Sequence, residues 1–120
     1  MKRDRFDLLH RLRQRRLEAC RLQLLSVGQC ESELASRDVS LARRVQAALE
    51  DQGLEVGAGG VDVGRVVQCR RRRHQLQDAR ELLARQRGLV QEVAGLARDN
   101  LEEAVRQVEV IEKLAERAGK

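Results

Sequence analysis

Proline is absent from all 120 residues, and five of the nine glycines are gathered between Gly53 and Gly64. Proline removes a helical hydrogen bond and clashes with the preceding turn, so its absence leaves the backbone free to stay helical over long stretches. The glycine cluster, GLEVGAGGVDVG, is the one place where backbone entropy opposes a helix strongly. The chain therefore reads as two long helices joined by a single turn. Composition closes off the alternatives. Phe6 is the only aromatic residue, and aromatics otherwise supply the bulkiest part of a globular interior, burying roughly 150 to 250 Å² each. A chain built mostly from Ala, Leu, Val, Arg, Gln and Glu, 36% of it charged, has the makeup of a coiled coil rather than of a sheet protein.

Spacing supports the same fold. From Leu17, alternating steps of three and four reach Cys20, Leu24, Val27, Glu31, Leu34, Asp38, Leu41, Val45 and Ala48, and eight of these ten positions are apolar. That is a heptad seam. Upstream, Phe6, Leu9 and Leu12 continue a looser apolar face, with Arg13 at the strict continuation. Asp51-Gln52-Gly53 reads as the end of this helix, Gly53 taking the left-handed position that satisfies terminal carbonyls. Asp62 reads as a cap for the second helix. The expected organisation is one hairpin over residues 1–120, with a helix over about 4–51, a glycine-rich turn over about 52–61 and a helix over about 62–118.

The second seam runs through Leu76, Ala79, Leu83, Gln86, Val90, Val93, Ala97, Leu101, Ala104, Val108, Ile111, Ala115 and Ala118, apolar at twelve of thirteen positions. Two successive steps of four, Val93 to Ala97 to Leu101, insert a stutter expected to unwind the supercoil locally. Gly88 and Gly95 are placed on the outer face of this seam, each costing about 1 kcal/mol relative to Ala in a helix interior. They read either as soft spots that let a long helix bend or as points where a partner approaches closely.

Seams of comparable length and a short turn predict an all-α, long antiparallel two-helix coiled-coil hairpin that is monomeric, with weak dimerisation through the outer residues Leu82, Leu89 and Leu96 as the alternative. Charge favours the antiparallel order. Residues 1–21 carry eight basic and three acidic groups, net +5, while residues 99–120 carry four basic and six acidic groups, net −2. Folding back brings these opposite charges together.

Catalysis finds little to work with. Only His10 and His74 offer bases near neutral pH, both reading as solvated helix-face residues, and no H-E-x-x-H, G-x-S-x-G or Cys/His metal spacing occurs. The Gly57-Ala58-Gly59-Gly60 run lacks the Gly-Lys-Ser/Thr of a phosphate loop. A two-helix rod also has no deep concavity in which reacting groups could converge. The expectation is a non-enzymatic protein with no cofactor and no metal. Cys20, Cys30 and Cys69 are odd in number and widely spaced, which suits incidental thiols in a reducing compartment. No apolar run approaches the length of about 20 needed to span a bilayer, and the amino terminus does not resemble a signal peptide, so a cytoplasmic location is expected.

The conspicuous charge run is Arg70-Arg71-Arg72-Arg73, in a chain of formal net charge +5. Four successive helical residues wrap the whole circumference, so they cannot all face one phosphate track. A basic zipper that binds DNA as a parallel dimer would leave Leu17 to Ala48 as an unexplained second seam, and no Asn stands in the basic run to read adenine. A solvated or protein-binding patch, with no specific nucleic acid, is the favoured reading. A generic coiled-coil scaffold or dimeric basic DNA-binding protein is the alternative.

Phe6 with Leu9 and Leu12 leading an Arg/Gln/Glu-rich helix, a polar turn near the middle, and the closing run Ile111-Glu112-Lys113-Leu114-Ala115-Glu116-Arg117 together resemble the FliJ family of flagellar type III export proteins. The closing run is similar to the E-K-L-x-E-R ending common in that family. The resemblance implies a stalk-like hairpin coupling a hexameric export ATPase, FliI-like, to an export gate protein, FlhA-like, with export chaperones as further clients. It implies attachment at the cytoplasmic face of the membrane through these partners only. The ATPase end would use Phe6, Leu9, Arg13 and Arg16, beside Val108 to Arg117, and the gate end Leu41, Val45, Val66, Cys69, Arg73 and Leu76. The family usually presents aromatics near the turn, and this chain has none there, with Cys69 and Arg73 in that stretch.

Overall fold

The computed structural model describes residues 2–57 and 63–119, which form two α-helices, α1 (Lys2–Gly57) and α2 (Val63–Ala118). The all-α hairpin is the observed fold. α1 continues through Gly57 instead of ending at Asp51, so Gly53 lies within helical backbone and is not its left-handed terminus. Once a helix is nucleated, each further residue adds a hydrogen bond, and a single glycine weakens propagation by only about 1 kcal/mol. The Asp62 cap and the body of the glycine-rich turn, residues 58–62, lie outside the described residues. α2 closes with Gly119 donating its N–H to the Ala115 carbonyl at 3.0 Å.

The helices pair in two compact units. A terminal unit joins Met1–Cys30 to Val90–Lys120, and a middle unit holds Glu31–Leu89. In the terminal unit the partners run antiparallel: their separation in sequence falls from 102 for His10 and Glu112 to 94 for Arg13 and Gln107. In the middle unit Asp38 meets Arg87 across a separation of 49.

Every one of the ten positions of the α1 seam from Leu17 to Ala48 is withdrawn from solvent, with Cys20, Leu34 and Ala48 fully buried. Heptad letters can therefore be assigned, a to Leu17, Leu24, Glu31, Asp38 and Val45, and d to Cys20, Val27, Leu34, Leu41 and Ala48. Towards the amino terminus the strict alternation persists through Arg13, His10 and Phe6, all half-buried, whereas Leu9 and Leu12 point outwards. The seam follows helix geometry there and accepts polar side chains. His10 is accordingly a seam residue that keeps a third of its side chain in solvent.

On α2 the alternation is regular where a stutter was expected. In the terminal unit a stripe of withdrawn positions runs through Val90, Ala94, Ala97, Leu101, Ala104, Val108 and Ile111, in steps of four and three throughout, with Gly95, Val105 and Gln107 half-buried beside it. Ala94 is 1% exposed while Val93 is 50% exposed. Val93 is the more apolar candidate, but using it demands consecutive steps of four that rotate the stripe away from Val90 on one side and Leu101 on the other. Gln86, Ala115 and Ala118 are likewise exposed, and Arg87 is the half-buried residue at its level. With letters a and d carried onto α2, a falls on Arg73, Arg87, Ala94, Leu101 and Val108, and d on Leu76, Leu83, Val90, Ala97, Ala104 and Ile111. At the level between Leu76 and Leu83 the half-buried residue is Ala79, as the spacing predicts, and Arg80 is exposed. The terminal unit thus buries alanines at three of its α2 seam positions, and short side chains let two helix axes approach closely.

Candidate protein-docking surfaces

The four α1 residues singled out for the ATPase end fall together in the terminal unit but play different parts. Phe6 is half-buried at a d position and Leu9 is exposed at the neighbouring g position. Arg13, also at d, replaces an apolar knob and donates from Nη1 to Gln107 Oε1 at 2.6 Å. Arg16 reaches the same oxygen at 3.4 Å. Gln107 in turn donates from Nε2 to Glu103 Oε1 at 3.4 Å. One amide thus gathers two guanidinium groups, which holds their charge beside the seam without a carboxylate to neutralise it. One turn away, His10 Nε2 lies 3.2 Å from Glu112 Oε1. Gln107 did not stand out in the sequence, and Glu112 did so only as part of the closing run. Their signal was the heptad phase, which sets Gln107 at g, directly across from Arg16.

The six residues singled out for the gate end, Leu41, Val45, Val66, Cys69, Arg73 and Leu76, are all half-buried on the seam of the middle unit. Their side chains hold the two helices together, and the surface there is made by their neighbours. Arg70, Arg71, Arg72 and His74 are exposed, while Arg73 turns inwards, so the arginine run is spread around the helix as four successive positions must be.

The middle unit holds a polar cluster that periodicity alone did not mark. Asp38, at an a position, sits between two arginines one heptad apart: Oδ2 accepts from Arg87 Nη1 at 3.3 Å, and Oδ1 lies 3.6 Å from Arg80 Nε. An open groove beside it is lined by Asp38, Gln77, Arg80, Glu81, Ala84 and Arg87. A carboxylate shared by two guanidinium groups satisfies the charge of a polar seam position, and because Arg73, Arg80 and Arg87 repeat at heptad spacing a slide of one heptad still leaves Asp38 beside an arginine. Asp38, Arg80 and Arg87 each keep about a third of their surface or more in solvent, so the cluster contributes modestly to stability.

Cys20 is buried in the terminal unit, Cys30 exposed, and Cys69 half-buried in the middle unit. Among the described residues no three His, Cys, Asp or Glu side chains converge as a metal site would require, and no helix is long and apolar enough to cross a membrane. Among the described residues seven of the ten exposed leucines lie in the terminal unit: Leu8, Leu9, Leu12, Leu22, Leu25, Leu96 and Leu114. No protein-family model, curated protein or solved structure matches this chain.

Proposed function

We propose that this chain is a non-enzymatic docking hairpin, and that its specific role is to couple an export ATPase to an export gate protein in a flagellar type III secretion apparatus at the cytoplasmic face of the membrane. The observation that carries the docking role is the concentration of exposed leucines in the terminal unit. An apolar residue left in water costs free energy that a partner's surface recovers, so such a concentration marks a contact surface. The export system is argued from the resemblance of the Phe6 to Arg16 and Ile111 to Arg117 segments to FliJ. Consistent with it, the two segments share one unit.

The test is binding of the full chain to the purified export ATPase encoded in the same genome. Leu9→Ala should weaken that complex by roughly tenfold while leaving the fold intact, because Leu9 is exposed and burying it contributes on the order of 1.5 kcal/mol. Arg71→Ala combined with Arg72→Ala should leave it unchanged. An ATPase that ignores the chain would remove the export assignment.

A further inference from the structure

The two edges of the terminal unit differ in chemistry. In an antiparallel helix pair the g rows of both helices flank one side of the seam and the e rows flank the other. Arg16 and Gln107, both at g and joined at 3.4 Å, mark the first side. The g and c positions of this edge carry Leu9, Leu12, Val110 and Leu114 near the chain ends, and Val93 and Leu96 beyond the polar positions Asn100, Glu103 and Gln107, each of the six aliphatic residues between 42% and 64% exposed. Its charges are Arg5, Arg16 and Arg117, against a single carboxylate, Glu103, which already lies 3.7 Å from Arg106 Nη2. The opposite edge, at e and b, carries Glu102, Glu109, Glu112 and Glu116 on α2 with Asp4 and Asp7 on α1, outnumbering Arg11, Arg21 and Arg98. The edge that is apolar is thus also the basic one.

The sidedness follows from the packing. Alanines at Ala94, Ala97 and Ala104 share the seam with Val90, Leu101, Val108 and Ile111, and the exposed aliphatic side chains of the edge fall one row out. Near the chain ends Leu9 and Leu12 of α1 and Val110 and Leu114 of α2 flank the same side of the seam.

We propose that this edge is a groove for an amphipathic helix of a partner protein whose apolar stripe is flanked by glutamate or aspartate. The inference rests on the docking role argued above and names the class of partner. Helix-in-groove recognition places apolar anchors at i, i+3 or i+4, and i+7 of the incoming helix. Leu9 and Leu12 are three apart and Val110 and Leu114 four apart, and the next edge position on each helix is an arginine, Arg16 or Arg117. The cations Arg5, Arg16 and Arg117 then meet acidic flanks, and a basic helix is rejected by like charge. The apolar part of the edge near the chain ends, from Val110 to Arg117, spans about two helical turns, roughly 11 Å, so it engages part of an incoming helix.

The experiment uses the full chain and a synthetic 21-residue helix with leucine at each a and d position and glutamate at each e and g position, whose own pairing is opposed by glutamate repulsion. A second peptide carries lysine in place of glutamate. The full chain should bind the glutamate peptide at least about tenfold more tightly than the lysine peptide. Leu9→Glu combined with Leu114→Glu should weaken that binding by about tenfold or more, while Val39→Glu, exposed in the middle unit, should leave it within about twofold. Circular dichroism should show all variants equally helical. Equal affinity for both peptides, or indifference to the edge substitutions, would overturn the groove. So would a stable dimer in light scattering that the edge substitutions convert to the monomer mass of 13.6 kDa, since a second copy would then be the occupant. Binding to the export ATPase without edge dependence overturns the groove and leaves docking intact; edge-dependent peptide binding without ATPase binding upholds the groove and removes only the export assignment.

Discussion

Val93 and Ala94 are adjacent in sequence and opposite in consequence. Ala94 is 1% exposed and faces α1, so Ala94→Asp places a carboxylate where it has neither water nor a partner, and the loss should be on the order of 3 to 5 kcal/mol. Val93→Asp, at a half-exposed position, should change stability by no more than about 0.5 kcal/mol. Thermal unfolding followed by circular dichroism distinguishes the two, and a larger loss at Val93 would move the register by one residue. The polar seam residues differ from both. Arg13, Asp38 and Arg87 sit at a or d positions where an aliphatic side chain would bury more surface. Each keeps its charge near solvent and finds an acceptor or donor on the other helix. Such residues bury less apolar surface than an aliphatic side chain would, and their hydrogen bonds across the seam offset part of that loss.

At the scale of a helix, the glycines of α2 are the weak points. A Cβ built on Gly88 or on Gly95 meets no atom within 4 Å, so neither glycine is held in place by packing inside the hairpin. Each substitution to alanine should therefore stabilise the chain by up to about 1 kcal/mol, through lower entropy of the unfolded backbone and higher helix propensity. Being seven residues apart with no shared neighbour, the two gains should be close to additive in chemical denaturation. A folded-state contact would reverse the sign. α1 carries the same lesson at its end: its helix persists through Gly53 to Gly57, because propagation is cheap once the preceding turns are formed.

For the whole molecule, the pairing of the two seams bears on nucleic acid. The Leu17 to Ala48 seam is occupied by α2 of the same chain, which leaves no continuous apolar stripe below the arginine run for a parallel zipper. Arg70, Arg71 and Arg72 remain exposed around the helix. Duplex DNA should accordingly bind weakly and without sequence preference, its affinity collapsing between about 50 and 200 mM salt because counterion release alone drives it. Arg71→Ala with Arg72→Ala should flatten that salt slope. Nanomolar, sequence-selective binding at 150 mM salt would restore the DNA-binding alternative.

Much of the fold was determined by the sequence alone. Missing proline, clustered glycine and alternating steps of three and four specify two paired helices, because these properties act on the backbone locally and need no partner to be felt. The α1 seam could be read residue by residue for the same reason: its leucines and valines leave one phase. On α2 two phases compete, and Val93, Gln86 and Ala115 were assigned to the seam by apolarity or spacing when Ala94 and Arg87 occupy it. Only packing against the facing helix decides between adjacent candidates, since what stabilises the seam is fit at close approach, which an alanine can satisfy and a valine cannot where backbones are near. The same decision makes the docking edge. Whether Leu9, Val110 and Leu114 are core or surface depends on the rotation of one helix against the other. That rotation is a property of the pair and is written in neither helix by itself.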